Sequence, residues 1–167
     1  MAVNMAPFDD KNLRHAVNLA MDRTSQMDIM FNGAAKPTLY IPPSWIGARS
    51  PDEIWDKIPG WGTGANKQKE RDDAAALIKA GGFGNVKLEA FSGNWYVYPQ
   101  LVEWTVPQLT RIGMDIKVNI LDRGTLLPKL SSGDYQISSY YYGFGFPEPD
   151  IMLGSYFLTG GSRNWTG

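Results

Sequence analysis

The order of its predicted elements places this chain in the α/β class. From residue 66 onward, helical patterns alternate with strand patterns, the arrangement typical of a layered α/β domain. Eighteen glycines and 11 prolines among 167 residues supply the turns between them. A chain of this length, with 43% hydrophobic residues, can bury roughly 70% of its unfolded surface. We therefore expect a packed core that needs no disulfide or metal.

The first part of the chain is predicted to hold a short strand and two helices. Residues 1–5 suit the strand. The next apolar residues recur with the spacing of one helix face, at Leu13, Ala16, Val17, Ala20 and Met21. A second helix is expected over residues 25–31 and ends at Asn32-Gly33. Residues 33–65 contain five prolines, so we predict an irregular segment there.

Helices and strands are predicted to alternate over residues 66–167. The helices are expected at residues 66–80, 96–112 and 124–130, and from Pro149 towards Tyr156. The strands are expected at residues 86–90, 114–120 and 135–142. Pro107 should kink or split the helix around it, because proline lacks a backbone N–H. Alternation in the second strand predicts one buried face, formed by Met114, Ile116, Val118 and Ile120.

Charge, cysteine and histidine content exclude several classes of function. Sixteen Lys and Arg against 17 Asp and Glu leave a formal net charge of −1, which disfavours nucleic-acid and polybasic membrane-surface binding. Without cysteine there is no disulfide scaffold, thiolate zinc site or cysteine nucleophile. The one histidine, His15, falls off the apolar helix face, so neither a Ser-His-Asp triad nor a multi-histidine metal site is expected. We predict a protein that is not an enzyme and holds no metal or cofactor.

No membrane span and no leader are predicted in these residues. No stretch approaches the roughly 20 apolar residues that a spanning helix needs. Residues 1–7 lack the basic and apolar regions of a signal peptide. Taken alone, this pattern suits either a cytosolic protein or a chain that begins after its signal.

An aromatic run after the last predicted strand is the main candidate for a binding surface. Five of the seven residues from 140 to 146 are aromatic. Strand side chains alternate between faces, so the run offers more aromatic surface than one core face needs. Ligands of α/β sheets gather at the carboxyl ends of strands, and aromatic rings supply rigid contact area there. The pattern favours one wall of a ligand cleft; the alternative is an aromatic-rich core strand.

A second strand end has a similar composition. Residues 92–96 follow the strand at 86–90 and combine small, polar and aromatic side chains. Two such strand ends are better support for a cleft than one. The candidate ligand-binding residues are Ser92, Asn94, Trp95, Tyr140, Tyr142, Phe144, Gly145 and Phe146, with Trp45 added from the irregular segment.

Seven short segments match, in order, the motifs of one known family. They are Pro7-Phe8-Asp9-Asp10 with Asp22-Arg23, Pro59-Gly60, residues 75–83, 108–118 and 130–135, Pro149-Asp150, and residues 164–167. In this order and spacing the chain resembles the family 5 extracellular solute-binding proteins of ABC importers. That family includes oligopeptide-, dipeptide- and nickel-binding proteins.

The resemblance implies a two-lobed protein of which this chain is a part. Residues 1–167 would belong to the C-terminal lobe, a mixed-sheet lobe of the type II periplasmic-binding-protein-like fold. It implies a missing N-terminal lobe, an ABC permease as partner, and a periplasmic or cell-surface location after removal of a signal. A peptide or other small solute would be captured between the lobes. An excised segment would also expose apolar surface through which two copies can dimerise.

Two ligand-anchoring positions of the family are uncharged in this chain. Dipeptide-binding members hold the ligand's amino group with an Asp and its carboxylate with an Arg, and the resemblance places Gly145 and Gly93 there. It also places Tyr142 at an aromatic position that lines the cleft. Because an unpaired buried charge is costly, a zwitterionic dipeptide is disfavoured. Longer peptides, sugars and other neutral solutes stay open.

Two other functions compete with solute capture for import. A stand-alone carbohydrate-binding module would use the same aromatic residues without a second lobe. A hydrolase domain would need a pair of catalytic acids in a pocket, and the adjacent carboxylates at 9–10 and 72–73 suit helix starts instead.

Overall fold

The described residues form a mixed β-sheet of four strands. The computed structural model describes residues 2–3, 6–42, 44–140 and 148–165. Its strands are β1 (Ala2–Val3), β2 (Lys87–Gly93), β3 (Asp115–Leu121) and β4 (Ile137–Ser138), in the order β1-β4-β2-β3. β2 pairs in parallel with β3 and β4, and β1 pairs antiparallel with β4. The predicted α/β class is confirmed.

Helices make up most of the other residues that the structure describes. The α-helices in the described residues are α1 (Lys11–Ala20), α2 (Arg23–Phe31), α3 (Pro51–Ile54), α4 (Gly64–Ala80), α5 (Tyr98–Arg111), α6 (Arg123–Ser131) and α7 (Pro149–Phe157). A short 3-10 helix, Phe83–Asn85, precedes β2. No helix in the described part of the chain has the length and apolarity to cross a membrane.

The chain divides into two compact units. The sheet unit contains Met1–Lys11, Val86–Val106 and Asp115–Gly167, and the helical unit contains Asn12–Asn85 and Pro107–Met114. All four strands, α6 and α7 belong to the sheet unit. The placement of the whole chain in one lobe stays a prediction.

The helical unit is built on the amphipathic pattern of α1. The α1 side chains that face the core are Leu13, Ala16, Val17, Leu19 and Ala20, which confirms the predicted apolar face. His15 is exposed on the other side of the helix, as expected. The Asp22 carboxylate accepts from the Ser25 N–H and so begins α2, and Asn32 in the left-handed conformation ends it.

The sheet unit buries both faces of the carboxyl-terminal half of β2. Leu88 is 1% exposed, and from Ala90 to Gly93 every residue of β2 is buried. Phe91 packs in one cluster with Leu126 and Leu130 of α6 and with Tyr135. Such a continuous buried run is typical of an inner parallel strand. The predicted strand at 86–90 is therefore correct, and the strand extends to residue 93.

The predicted burial of β3 is wrong, although the strand itself is present. Val118 is 39% exposed and Ile120 is 46% exposed, whereas Met114 lies just before the strand and is buried. β3 is the last strand of the sheet that the described residues form, so it has a neighbour on one side only. Period-two alternation identifies a strand, but it does not say whether another layer covers the apolar side.

Three other expectations differ in detail. Pro107 lies inside α5 without ending it, so the helix is not split there, and the alternative of a kink stays a prediction. The predicted irregular segment 33–65 holds the short helix α3, with Pro51 in its first turn, where proline is tolerated. The described part of the last strand is Ile137–Ser138, and residues 141–142 of the predicted strand lie outside the described residues.

Candidate functional site

Four aromatic side chains form a continuous row in the sheet unit, beyond the carboxyl end of β2. The ring centroids of Trp95 and Tyr98 are 5.2 Å apart in an edge-to-face contact. Tyr98 and Tyr140 are stacked at 5.2 Å with an interplanar angle of 23°. Tyr140 and Trp165 meet edge to face at 4.8 Å. These distances lie in the favourable range for aromatic pairs, and we call the four residues the aromatic row.

The inner side of the aromatic row is held by the core of the sheet unit. Trp95, Tyr140 and Trp165 pack against the cluster around Phe91. The Tyr135 hydroxyl donates to the Trp165 carbonyl at 2.9 Å. The row is thus fixed from below, which lowers the entropy lost when a ligand rests on it.

The outer side of the aromatic row is partly open. Tyr98 is 6% exposed, while Trp95, Tyr140 and Trp165 are half-buried. Tyr96 extends the row with its ring centroid 6.4 Å from that of Tyr98, and its side chain is 70% exposed. A surface of this kind can take the flat face of a solute.

Gly93 has a packing role at the base of the aromatic row. A Cβ atom at Gly93 would lie 2.4 Å from the indole ring of Trp95. The glycine therefore lets Trp95 cross the end of β2. This is the position at which the family resemblance places an anchoring arginine, and here the space above the backbone is occupied by an aromatic ring.

Four of the predicted site residues lie in or next to the aromatic row. Trp95 and Tyr140 both join the aromatic row, linked through Tyr98. Ser92 is fully buried, and its hydroxyl donates to the Tyr98 carbonyl at 2.8 Å, so it supports the row from inside. Asn94, which precedes Trp95 in the sequence, is exposed. The backbone N–H of Asn94 donates to the Leu121 carbonyl at 2.9 Å.

The other predicted residues are not brought into this row. Tyr142, Phe144, Gly145 and Phe146 lie outside the described residues. Trp45 belongs to the helical unit, where it is half-buried and its backbone N–H donates to the Pro42 carbonyl at 3.0 Å. Their roles as ligand contacts stay predictions.

Sequence reasoning missed Tyr98 and Trp165 as members of the aromatic row. Tyr98 follows the same strand end as Trp95, and that proximity was a usable signal. Trp165 lies in the segment 164–167 that resembles a family motif, but the motif carries no indication of a role. Only the fold brings residue 165 beside residue 140.

The helical unit contains a buried cation that sequence patterns did not indicate. Lys67 of α4 is 3% exposed. Its ammonium donates to the carbonyls of Leu19 at 3.2 Å, Met21 at 2.9 Å and Gly60 at 3.1 Å, and to the Glu70 carboxylate at 2.5 Å. Burial lowers the pKa of Lys67 below its ordinary value, while the hydrogen bond to Glu70 acts in the opposite direction.

Arg23 completes this cluster of charges. Its guanidinium donates to the Asn18 side chain at 2.7 Å and to the Gly60 carbonyl, and it lies 4.8 Å over the Trp61 ring. Burial lowers the pKa of Arg23 to about 10, so the group stays charged at neutral pH. Glu70 also accepts from the backbone N–H of Gly60 at 2.6 Å. The charges hold the turn at Gly60 in place, and we assign them a structural role.

An open groove of about 750 Å³ lies within the helical unit. Its apolar lining includes Leu19, Ile58 and Leu77, and its polar lining includes Asp56 and Glu70. Asp56 accepts from the Thr63 N–H and hydroxyl at 2.6 and 2.7 Å, and Glu70 accepts from Gly60 and Lys67. The carboxylates thus stabilise the turn beside the groove.

Comparison with known families decides what kind of protein carries these features. The profile of "Bacterial extracellular solute-binding proteins, family 5 Middle" matches residues 1–164. The chain belongs to this family. The predicted family resemblance is therefore confirmed, and it covers both the sheet unit and the helical unit.

Individual relatives of this family 5 chain are distant in sequence and longer. The glutathione-binding protein GsiB of Escherichia coli strain K12 is 27% identical over 173 residues, which cover 99% of this chain and 31% of GsiB. The chain thus spans about a third of the length of the curated relatives that it matches.

Solved structures of two proteins share the fold of the family 5 chain. Haemophilus influenzae OppA, solved in complex with RPPGFSPFR, has a TM-score of 0.72 at 19% identity, covering 98% of this chain and 32% of that chain. The Escherichia coli murein tripeptide binding protein MppA has a TM-score of 0.74 at 17% identity, covering 99% and 32%. These matches confirm the predicted type II periplasmic-binding-protein-like fold.

Proposed function

We propose that this chain is part of the C-terminal lobe of a solute-binding protein that serves an ABC importer. The aromatic row is proposed as part of the wall that contacts the solute. The observation that carries this role is the position of the row, beyond the carboxyl end of an inner parallel strand and anchored from below by the core. The wall is proposed to continue through four residues that come within six positions of Tyr140 in sequence: Tyr142, Phe144, Gly145 and Phe146.

The proposed action is binding, with no chemical step. A solute that contacts two lobes favours the closed arrangement, because it gains contacts there that the open arrangement lacks. The closed protein then docks on its permease in the membrane and releases the solute. This role places the protein in the periplasm or at the cell surface, after removal of a leader.

The relatives support binding as the general activity and leave the solute open. GsiB is named for glutathione, and OppA was solved with RPPGFSPFR. GsiB is a binding protein by name, and the OppA structure is a complex with a peptide. Membership of the family also disfavours the stand-alone carbohydrate-binding module, because the matched profile spans nearly the whole chain.

Thermal unfolding and calorimetry of the full-length protein that contains this chain test the proposal. A solute that binds only the folded form raises the melting temperature by mass action. At a solute concentration one hundred times Kd, it adds about 2.7 kcal/mol to the free energy of unfolding. Truncation of a central aromatic contact, Tyr140→Ala, should weaken that solute roughly tenfold or more. The control is Phe157→Ala on α7, which removes an exposed aromatic side chain of the same unit that does not belong to the aromatic row.

Two results would contradict the proposal. One is that no peptide, saccharide, opine or metal complex raises the melting temperature. The other is that Tyr140→Ala and Phe157→Ala weaken binding equally although the melting temperatures without solute match that of the natural protein.

A further inference from the structure

The turn after β2 places a tyrosine in a backbone conformation that tyrosine seldom adopts. Tyr96 has a φ of +56°, in the left-handed region. In the described part of the chain, the other non-glycine residues with positive φ are Asn32 and Asp56, whose short polar side chains favour that region. A bulky residue is disfavoured there, because its Cβ atom crowds the following carbonyl oxygen. The backbone at Tyr96 is therefore strained.

Hydrogen bonds on both sides of Tyr96 hold this conformation in place. Before it, the Asn94 N–H donates at 2.9 Å to the carbonyl of Leu121, the last residue of β3. After it, the Tyr98 carbonyl accepts from the buried Ser92 hydroxyl at 2.8 Å. A strained residue persists only where its surroundings fix it in this way. The turn between β2 and α5 thus determines the position from which the Tyr96 side chain extends.

The side chain that this turn carries is exposed instead of packed in the core. Tyr96 is 70% exposed, so little burial of its ring offsets the strain. Strained residues cluster at ligand-binding sites, where the strain is the cost of a required position. The turn also lies at the carboxyl end of an inner parallel strand, where ligands of α/β sheets gather. From the strain, the exposure and this position, we infer that the Tyr96 ring contacts the solute directly. This inference rests on the solute-binding role proposed above.

The angle of the Tyr96 ring fits a contact beside the aromatic row. Its centroid is 6.4 Å from that of Tyr98, and the two rings meet at an interplanar angle of 72°. Tyr98 and Tyr140, in contrast, are stacked at 23°. A planar or apolar group of the solute that rests on the aromatic row therefore also meets the Tyr96 ring from the side.

Three substitutions at Tyr96 separate contact by the ring from strain in the backbone. Tyr96→Ala and Tyr96→Gly both remove the ring, but glycine alone relieves the left-handed conformation. Both should raise the Kd of the bound probe roughly tenfold and to the same extent. Without solute, the glycine variant should melt roughly 1–3 °C above the alanine variant. Tyr96→Phe keeps the ring and should bind within about threefold of the natural protein.

The measurement is calorimetric titration of the full-length protein, with melting temperatures taken in parallel. The probes are glutathione, the peptide RPPGFSPFR, maltotetraose, octopine and Fe(III)-EDTA. The probe that raises the melting temperature of the natural protein most is titrated into the variants. Phe157→Ala is the control, since Phe157 is 52% exposed in the same unit, and it should change Kd less than about twofold. Tyr140→Ala reports on the aromatic row itself.

The remaining outcomes contradict the inference. If Tyr140→Ala weakens binding but the alanine and glycine variants of Tyr96 do not, Tyr96 makes no contact and the solute-binding proposal stands. If glycine keeps the affinity that alanine loses, the backbone matters and the ring does not. A loss in Tyr96→Phe as large as that in Tyr96→Ala would likewise exclude contact through the ring. If neither these probes nor the wider solute panel raises the melting temperature, the inference is overturned together with the proposed function.

Discussion

At the residue scale, Lys67 shows what a buried charge requires. Its ammonium is removed from water and is stabilised by three carbonyls and one carboxylate. Two of these carbonyls, of Leu19 and Met21, lie at the end of α1, where helix carbonyls lack partners within the helix. One side chain of α4 therefore satisfies the end of α1 and the turn at Gly60 together.

Replacing Lys67 by methionine should destabilise the helical unit strongly. Lys67→Met leaves the Glu70 carboxylate and three carbonyls without their cation, and we expect a loss of about 2–4 kcal/mol in the free energy of unfolding. Lys69→Met is the control, since the Lys69–Asp73 pair at 2.8 Å is exposed at 77% and 53%. It should cost less than about 0.5 kcal/mol. Urea unfolding measures both, and equal losses would contradict the assignment.

Asp56 should make the stability of the turn depend on acid pH. Its hydrogen bonds with the Thr63 and Asn66 side chains lower the pKa of this carboxyl below its ordinary value. The stabilisation is therefore complete above the ordinary pKa and is lost as the pH falls through the lower, folded-state pKa. Asp56→Asn should melt below the natural protein at pH 7, and the difference in melting temperature should narrow as the pH falls below the ordinary pKa of an aspartate. A difference that stays constant from pH 7 to pH 3 would contradict this origin.

At the element scale, the turn at Gly60 depends on glycine for two separate reasons. Its φ is +88°, in the left-handed region, and a Cβ atom would lie 2.6–2.8 Å from Asn18. The same turn receives Arg23 and Lys67 on the Gly60 carbonyl. The turn that resembles a family motif in sequence is thus the point at which the helical unit is tied together.

The effects of the left-handed backbone conformation and of the close approach to Asn18 can be separated by comparing Gly60 with a second glycine. Gly47 has a φ of +84° and open space around its Cβ position. Gly47→Ala should lower the free energy of unfolding by about 1 kcal/mol, the cost of the left-handed conformation. Gly60→Ala should lower it by about 1–3 kcal/mol more, because the neighbours must also move. Equal effects in chemical unfolding would show that the close approach to Asn18 is not a constraint.

At the scale of the whole molecule, β3 gives this chain a surface for self-association. Val118 and Ile120 are exposed on the last strand of the described sheet, where backbone groups on the outer edge have no neighbouring strand. An exposed apolar edge strand favours pairing with a second copy. We therefore predict that the 167-residue chain forms dimers in solution through β3.

A charge on β3 should reverse that association. Ile120→Lys should lower the dimer fraction at least roughly tenfold in sedimentation velocity, because lysine on an edge strand opposes strand pairing. Ile151→Lys is the control, since Ile151 is similarly exposed, at 51% against 46%, but lies on α7. Equal effects of the two substitutions, or a monomer at all concentrations, would contradict association through β3.

Much of the fold could be predicted from local patterns in the sequence. The apolar spacing in α1, the start of α7 at Pro149 and the strand alternation of β3 each led to an element that the structure contains. These signals are local, because helix and strand geometry fix which neighbours share a face. Of the residues predicted to contact a ligand, Trp95 and Tyr140 lie in the aromatic row, and their contact with a solute stays a prediction. Tyr98 and Trp165, which complete the row, were not singled out from the sequence. A contact between residues far apart in sequence leaves no local periodic pattern from which it could be predicted.

The sequence by itself was sufficient to predict the α/β class and the family, and to identify two strand ends as uncharged and rich in aromatic residues. The tertiary structure alone decided that Trp165 joins Tyr140, that Lys67 is buried among carbonyls, and that Val118 and Ile120 face solvent. The physical reason is the same in each case. Burial and pairing depend on which elements pack together in space, and a residue's own type and spacing specify only which face it is on.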